Sequence, residues 1–172
     1  MPSFRVTKFD PRKRDEAGAF LHDAWISVSD IGSAFAGEVL TQADYLRVED
    51  AYVSSVRQFM VAAHIDTLRL VDLSIVSPPG VAVQKYFCDG VLDRCQMLKE
   101  SSIVPNAHID DVIRGALREI LWCRLEGARG FYVHFGHDYY MFIGIPEAAQ
   151  APDHLPPGIF VEEFESPYLG QE

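Results

Sequence analysis

The sequence predicts an α+β protein, an antiparallel or mixed sheet with two main helices packed on one face. Three observations point there. Several short segments alternate apolar and polar residues, the period of a half-buried strand. Two stretches repeat apolar residues at steps of three and four, the period of a helix with one buried stripe. Strands fall before and after the longer helix and again after the second, a layout in which helices cover one face of a sheet.

Phe4-Arg5-Val6-Thr7-Lys8-Phe9 alternates and Asp10-Pro11 ends it, so it reads as the first strand. The charged stretch 10–18 reads as a solvated loop, and Trp25-Ile26-Ser27-Val28 as a short second strand. Glycines at 32 and 37 then punctuate a connection. Thr41 is placed to cap a helix over about 42–63, because its hydroxyl can accept from a free amide of the first turn. Tyr45, Val48, Tyr52, Val56, Phe59, Met60 and Ala63 form the buried stripe of that helix.

Residues 67–76 return to period 2, but Leu68 and Leu70 sit on one phase and Val71, Leu73 and Ile75 on the other, which leaves the buried face open. Pro78-Pro79-Gly80 closes that strand. Residues 81–104 carry the weakest pattern, with a short helix expected within 91–98. Asn106 is placed to cap a second helix that ends near 120, with Asp110 and Asp111 at its positive end and an apolar stripe from Ile109 to Ile120. Trp122 to Glu126 reads as a strand and Gly127 to Gly130 as a turn. The aromatic and β-branched runs 131–135 and 139–143 flank Gly136-His137-Asp138 and read as a hairpin. Its exposed face is expected to carry Tyr132, His134 and Tyr140. Residues 159–164 add an edge strand.

The 172 residues fit a single domain over 1–172, closed by a proline-rich segment over 146–172. A hydrophobic fraction of 48% gives enough apolar surface for a packed core. No apolar run reaches the roughly 20 residues a membrane helix needs. The first residues lack the apolar core of a signal peptide, so a cytoplasmic location is expected. Cys88, Cys95 and Cys123 are odd in number and unsuited in spacing to a CxxC site, so they read as reduced structural thiols. A net charge of −10 disfavours nucleic acid and anionic membranes and favours a basic partner.

The densest polar cluster is His134-Phe135-Gly136-His137-Asp138. His and Asp bind zinc or iron, so a small metal-dependent enzyme using His134, His137 and Asp138 is the rival reading. Strand alternation and the intervening turn argue against their convergence, and no metal or other cofactor is expected. A nucleophilic pair of Cys88 or Cys123 with a distant histidine has no local signature. GxSxG, GxxxxGK[ST] and GxGxxG are absent, so no catalytic residue is assigned. A third reading is a scaffold that self-associates through a sheet edge. Glu162, Glu163 and Glu165, interleaved with Phe160, Phe164 and Tyr168, read either as solvated carboxylates or as a surface for basic side chains.

The hairpin Phe131-Tyr132-Val133-His134-Phe135-Gly136-His137-Asp138-Tyr139-Tyr140-Met141-Phe142-Ile143-Gly144 resembles one found in small bacterial proteins. Phe4 to Pro11 and Trp25 to Gly32 resemble their N-terminal block. That group is similar to the immunity proteins that guard bacteria against polymorphic toxins. The resemblance implies neutralisation of a cognate toxin by covering its active or substrate-binding site, with no chemistry of its own. The expected function is therefore a non-catalytic protein-binding module whose partner is a basic toxin domain. Tyr132, His134, Tyr140, Glu162, Glu163 and Glu165 are the candidate contact residues.

Overall fold

The computed structural model describes residues 1–170, so the last two positions of the proline-rich segment lie outside the described residues. β1 (Ser3–Thr7) is followed by a two-stranded ribbon, β2 (Ala34–Phe35) and β3 (Glu38–Val39), and by α1 (Gln42–Ala62). β4 (Leu68–Ile75), α2 (Val81–Tyr86), α3 (Val91–Gln96), β5 (Ile103–Val104) and α4 (Ile109–Leu117) come next. β6 (Leu121–Glu126), β7 (Tyr132–Phe135), β8 (Tyr140–Gly144) and β9 (Phe160–Glu163) complete the chain. The main sheet has seven strands in the order β5-β4-β6-β7-β8-β1-β9, and every pairing is antiparallel.

The α+β expectation holds, with α1 and α4 as the main helices and α2 and α3 as two short additions. α1 starts where a reciprocal cap fixes it. The Thr41 hydroxyl accepts from the Asp44 amide at 3.1 Å, and the Asp44 carboxylate accepts from the Thr41 amide at 3.4 Å. Two first-turn donors are thereby satisfied, an arrangement worth about 1 kcal/mol.

The inner face of the sheet carries Val6, Leu70, Leu125, Val133 and Ile143, all in the core. Phe59 of α1 meets Phe4 of β1 there, ring centroids 5.6 Å apart. The open face of β4 resolves through a bulge: the register shifts between Val71 and Ser74, where Asp72 takes φ 56°. The extra residue switches phase, so Leu70 opposes Leu125 and Ile75 opposes Leu121.

Four local expectations fail. Residues 25–28 form no strand, because Ser27 and Asp30 make a capping box that opens a 3-10 turn at Val28–Asp30. Trp25 inserts its ring against Tyr45 and Tyr139 instead. Asn106 does not cap α4; its side chain accepts from Arg57. Helix α4 stops at Leu117, since Glu119 turns left-handed at φ 58° while the Ile120 amide still reaches the Gly115 carbonyl. Tyr139 lies in the hairpin turn at φ 60°, which sends its side chain inward rather than along a strand. Its hydroxyl donates to the Tyr45 hydroxyl at 2.8 Å.

The core also encloses one ionic system. Glu49 and Arg118 are fully buried, and Arg118 donates through Nε at 2.6 Å and Nη2 at 2.8 Å to the Glu49 carboxylate. Arg118 Nη1 reaches Asp89 at 2.7 Å, Arg114 bridges Glu49 to Asp50, and the Phe87 ring lies 4.1 Å from the Arg118 guanidinium carbon. Three hydrogen bonds to two carboxylates hold the Arg118 charge where solvent cannot. This system ties α1 to α4 and to the loop before α3.

Candidate binding surface

The outer face of the sheet is set by register. Arg124, His134 and Phe142 lie side by side across β6, β7 and β8, and Arg5 continues the row on β1. Tyr132 stands beside His134, ring centroids 4.2 Å apart and nearly parallel. Gly144 opposite Tyr132 is needed there, because a Cβ at 144 would fall 2.1 Å from Tyr132 Cε1.

This face is not open. Residues 164–169 cross it as a strap: Phe164 and Tyr168 pack on Phe142, and the Ser166 hydroxyl shares a 2.8 Å hydrogen bond with His134 Nδ1. Tyr132 and His134 are consequently only 4% and 3% exposed, which corrects the expectation that they form an open contact face. Burial, reinforced by the nearby Arg124 charge, pulls the His134 pKa down to about 4. Tyr140 is half-buried, tilted against Phe9 and flanked by the guanidiniums of Arg5 and Arg14. Glu162 does not point freely to solvent, since Arg5 and Arg14 both pair with it, at 2.9 and 2.7 Å. Glu163 and Glu165 are exposed.

The histidine cluster is not brought together as a ligand set. His134 is engaged with Ser166 and Tyr132, whereas His137 lies in the exposed turn, stacked on Trp122 at 5.8 Å. Among the described residues no group of three or more His, Cys, Asp and Glu side chains is placed to hold a metal ion. Cys95 and Cys123 are buried, and burial pushes both thiols upward, Cys95 to about 12. Those two are inert packing groups at neutral pH. Cys88 is exposed.

Larger concavities lie elsewhere, at the end of the sheet where α4 runs into β6. One concavity of about 390 Å³ is lined by Ile26, Ser27, Val76, Ala116, Glu119, Leu121, Trp122, His137 and Asp138. A neighbouring one of about 530 Å³ shares Val76 and Glu119 with it and extends to Val81 and Lys85. Ile26, Val76 and Trp122 are 46%, 43% and 37% exposed around the first. Isolated exposed apolar residues are ordinary, but several around one hollow form a patch. Sequence reasoning singled out His137 and Asp138 but not Ile26, Val76 or Trp122, although a signal existed: with Leu121, Cys123 and Leu125 inward, strand alternation turns Trp122 outward.

The fold and surface define the class: a small α+β protein with a closed aromatic sheet face and an open apolar hollow at one end. No helix among the described residues is long and apolar enough to cross a membrane. Comparison with family models, curated proteins and solved structures returned no match for the chain.

Proposed function

We propose that this protein is a non-catalytic binding module of the immunity type, which covers the active or substrate-binding site of a basic toxin domain in the bacterial cytoplasm. One observation carries the reading: the cations are largely spent inside the molecule while many carboxylates face outward. Arg5 and Arg14 are held by Glu162, Arg57 by Asp110, Arg94 by Asp111, Arg114 and Arg118 by Glu49, and Arg124 by Asp72. Asp93, Glu119, Asp138, Asp153, Glu163 and Glu165 are exposed and take part in no ion pair among the described residues. An excess of outward carboxylates over a net charge of −10 attracts a positively charged macromolecule and speeds its encounter.

The test uses the purified chain and the purified product of the adjacent open reading frame. A complex should form in calorimetry, its association rate should fall steeply with added salt, and the partner's toxic activity should be suppressed in stoichiometric mixture. Lack of binding to that product, or turnover of a substrate by the isolated chain, overturns the reading.

A further inference from the structure

We infer that the hollow between α4 and the β7–β8 turn is an anchor site for an arginine side chain of the partner protein; this rests on the binding-module reading above. The site has a floor, walls and uncompensated charge. Leu121 and Ala116 form the base, and the half-exposed Ile26 and Val76 supply an apolar wall. Trp122 supplies an aromatic one, its ring already aligned by stacking on His137 and by an edge contact with Tyr168 at 6.0 Å.

Two carboxylates line the same hollow. Glu119 accepts one hydrogen bond, from the Ser27 hydroxyl at 2.6 Å, and Asp138 accepts none among the described residues. Neither has a cationic partner there, unlike Asp72, Asp89, Asp110 and Asp111. The basic residues that line the adjoining concavity make no ion pair with either carboxylate. Arg118 is bound to Glu49 and Asp89, and the Lys85 ammonium sits 4.7 Å from the Tyr86 ring centre.

An apolar hollow with an aromatic wall and unpaired carboxylates selects one kind of side chain. A leucine or phenylalanine would fill the floor but leave the carboxylates desolvated without a partner, at a cost. An arginine satisfies both halves: its methylene stem lies on Ile26 and Val76, and its planar guanidinium bonds the carboxylates and stacks on indole. About 390 Å³ accommodates that side chain together with some water. Buried arginines and tryptophans are also the residue types that dominate interface energies.

The probe is N-acetyl-arginine amide, titrated into the isotope-labelled full chain and followed by the indole N–H signals of Trp122 and Trp25. Saturable movement of the Trp122 signal is expected, with no comparable effect from the uncharged isostere N-acetyl-citrulline amide. The E119Q/D138N double variant should weaken the response by about tenfold or more. Both substitutions keep size and shape at exposed positions, so the fold is retained. Equal responses to the two amides, a response confined to Trp25, or no response overturns the inference. With the neighbour-encoded partner in hand, unchanged affinity of the double variant also overturns it while leaving the partner reading intact. A Trp122 response to arginine amide without any partner binding upholds the cation site and sinks the partner reading instead.

Discussion

The two faces of the central sheet solve the problem of burial in opposite ways. The inner face is mainly apolar, and helices α1 and α4 cover it largely with side chains of the same kind. The buried charges between the covering helices, Glu49 and Arg118, are closed into a system that answers itself. The outer face is polar and aromatic, with Arg5, Arg124, Tyr132, His134 and Phe142 in adjacent positions, and its cover is a short irregular strap near the end of the described chain. Amphipathic helices bring many dispersion contacts per residue; the strap brings a few rings and one hydroxyl. The difference teaches that the inner face supplies the stability, while the outer face is held by interactions that a modest perturbation can undo.

Breaking the inner face should cost most. Glu49→Ala leaves Arg118 buried without its main partner, and a loss of about 3–5 kcal/mol is expected by urea denaturation. The double change Glu49→Leu with Arg118→Met should recover much of that loss, because an apolar pair needs no desolvation. A double variant as unstable as the single one would show that the charges themselves organise this region.

Next in size is the close approach within the outer face. Gly144→Ala drives a Cβ into the Tyr132 ring, and about 1–3 kcal/mol of destabilisation is expected. A coupled Tyr132→Ser should relieve part of it, read as a non-additive double-mutant cycle.

Acid should then separate the faces. In the unfolded chain the His134 imidazole takes up a proton near its ordinary value of 6.5, and in the folded protein only near 4. Between these values the unfolded state holds more protons, so stability falls as pH drops from about 6.5 towards 4 and is independent of this group above that window. Urea midpoints measured across the window should show the slope, and His134→Gln should flatten it. The smallest effect belongs to the strap. Ser166→Ala should cost about 1 kcal/mol and raise amide exchange in residues 164–169 without altering exchange in α1.

How much of this was legible depends on whether the signal is local. The Thr41 cap and the stripe from Tyr45 to Met60 located α1 to within a residue, because both depend on spacing along one helix. The hairpin was legible for the same reason. Trp25 to Val28 misled, since β-branched and aromatic composition outweighed a Ser27–Asp30 capping box that was there to be read. The β4 phase conflict was itself the sign of a bulge. The candidate contacts fared unevenly. Alternation put Tyr132 and His134 on the outer face, but nothing local could say that Ser166 and Tyr168 lie over it. Glu163 and Glu165 are exposed, whereas Glu162 is claimed by arginines more than a hundred residues away in sequence. The hollow at Trp122 is assembled from four separate stretches of chain, so its convergence was invisible before folding.

One small feature of β4 bears on how this molecule keeps to itself. Beyond the two-residue β5, the amides of Asp72 and Leu73 at the bulge donate to the Glu100 carboxylate, at 3.3 and 2.6 Å. A foreign strand arriving at that margin would find those donors taken, a negative charge in its path and a kinked backbone to match. Fibril-like stacking is therefore discouraged along that border even at high cellular concentration. Whatever docks near it must recognise side-chain shape and charge rather than zip onto the main chain.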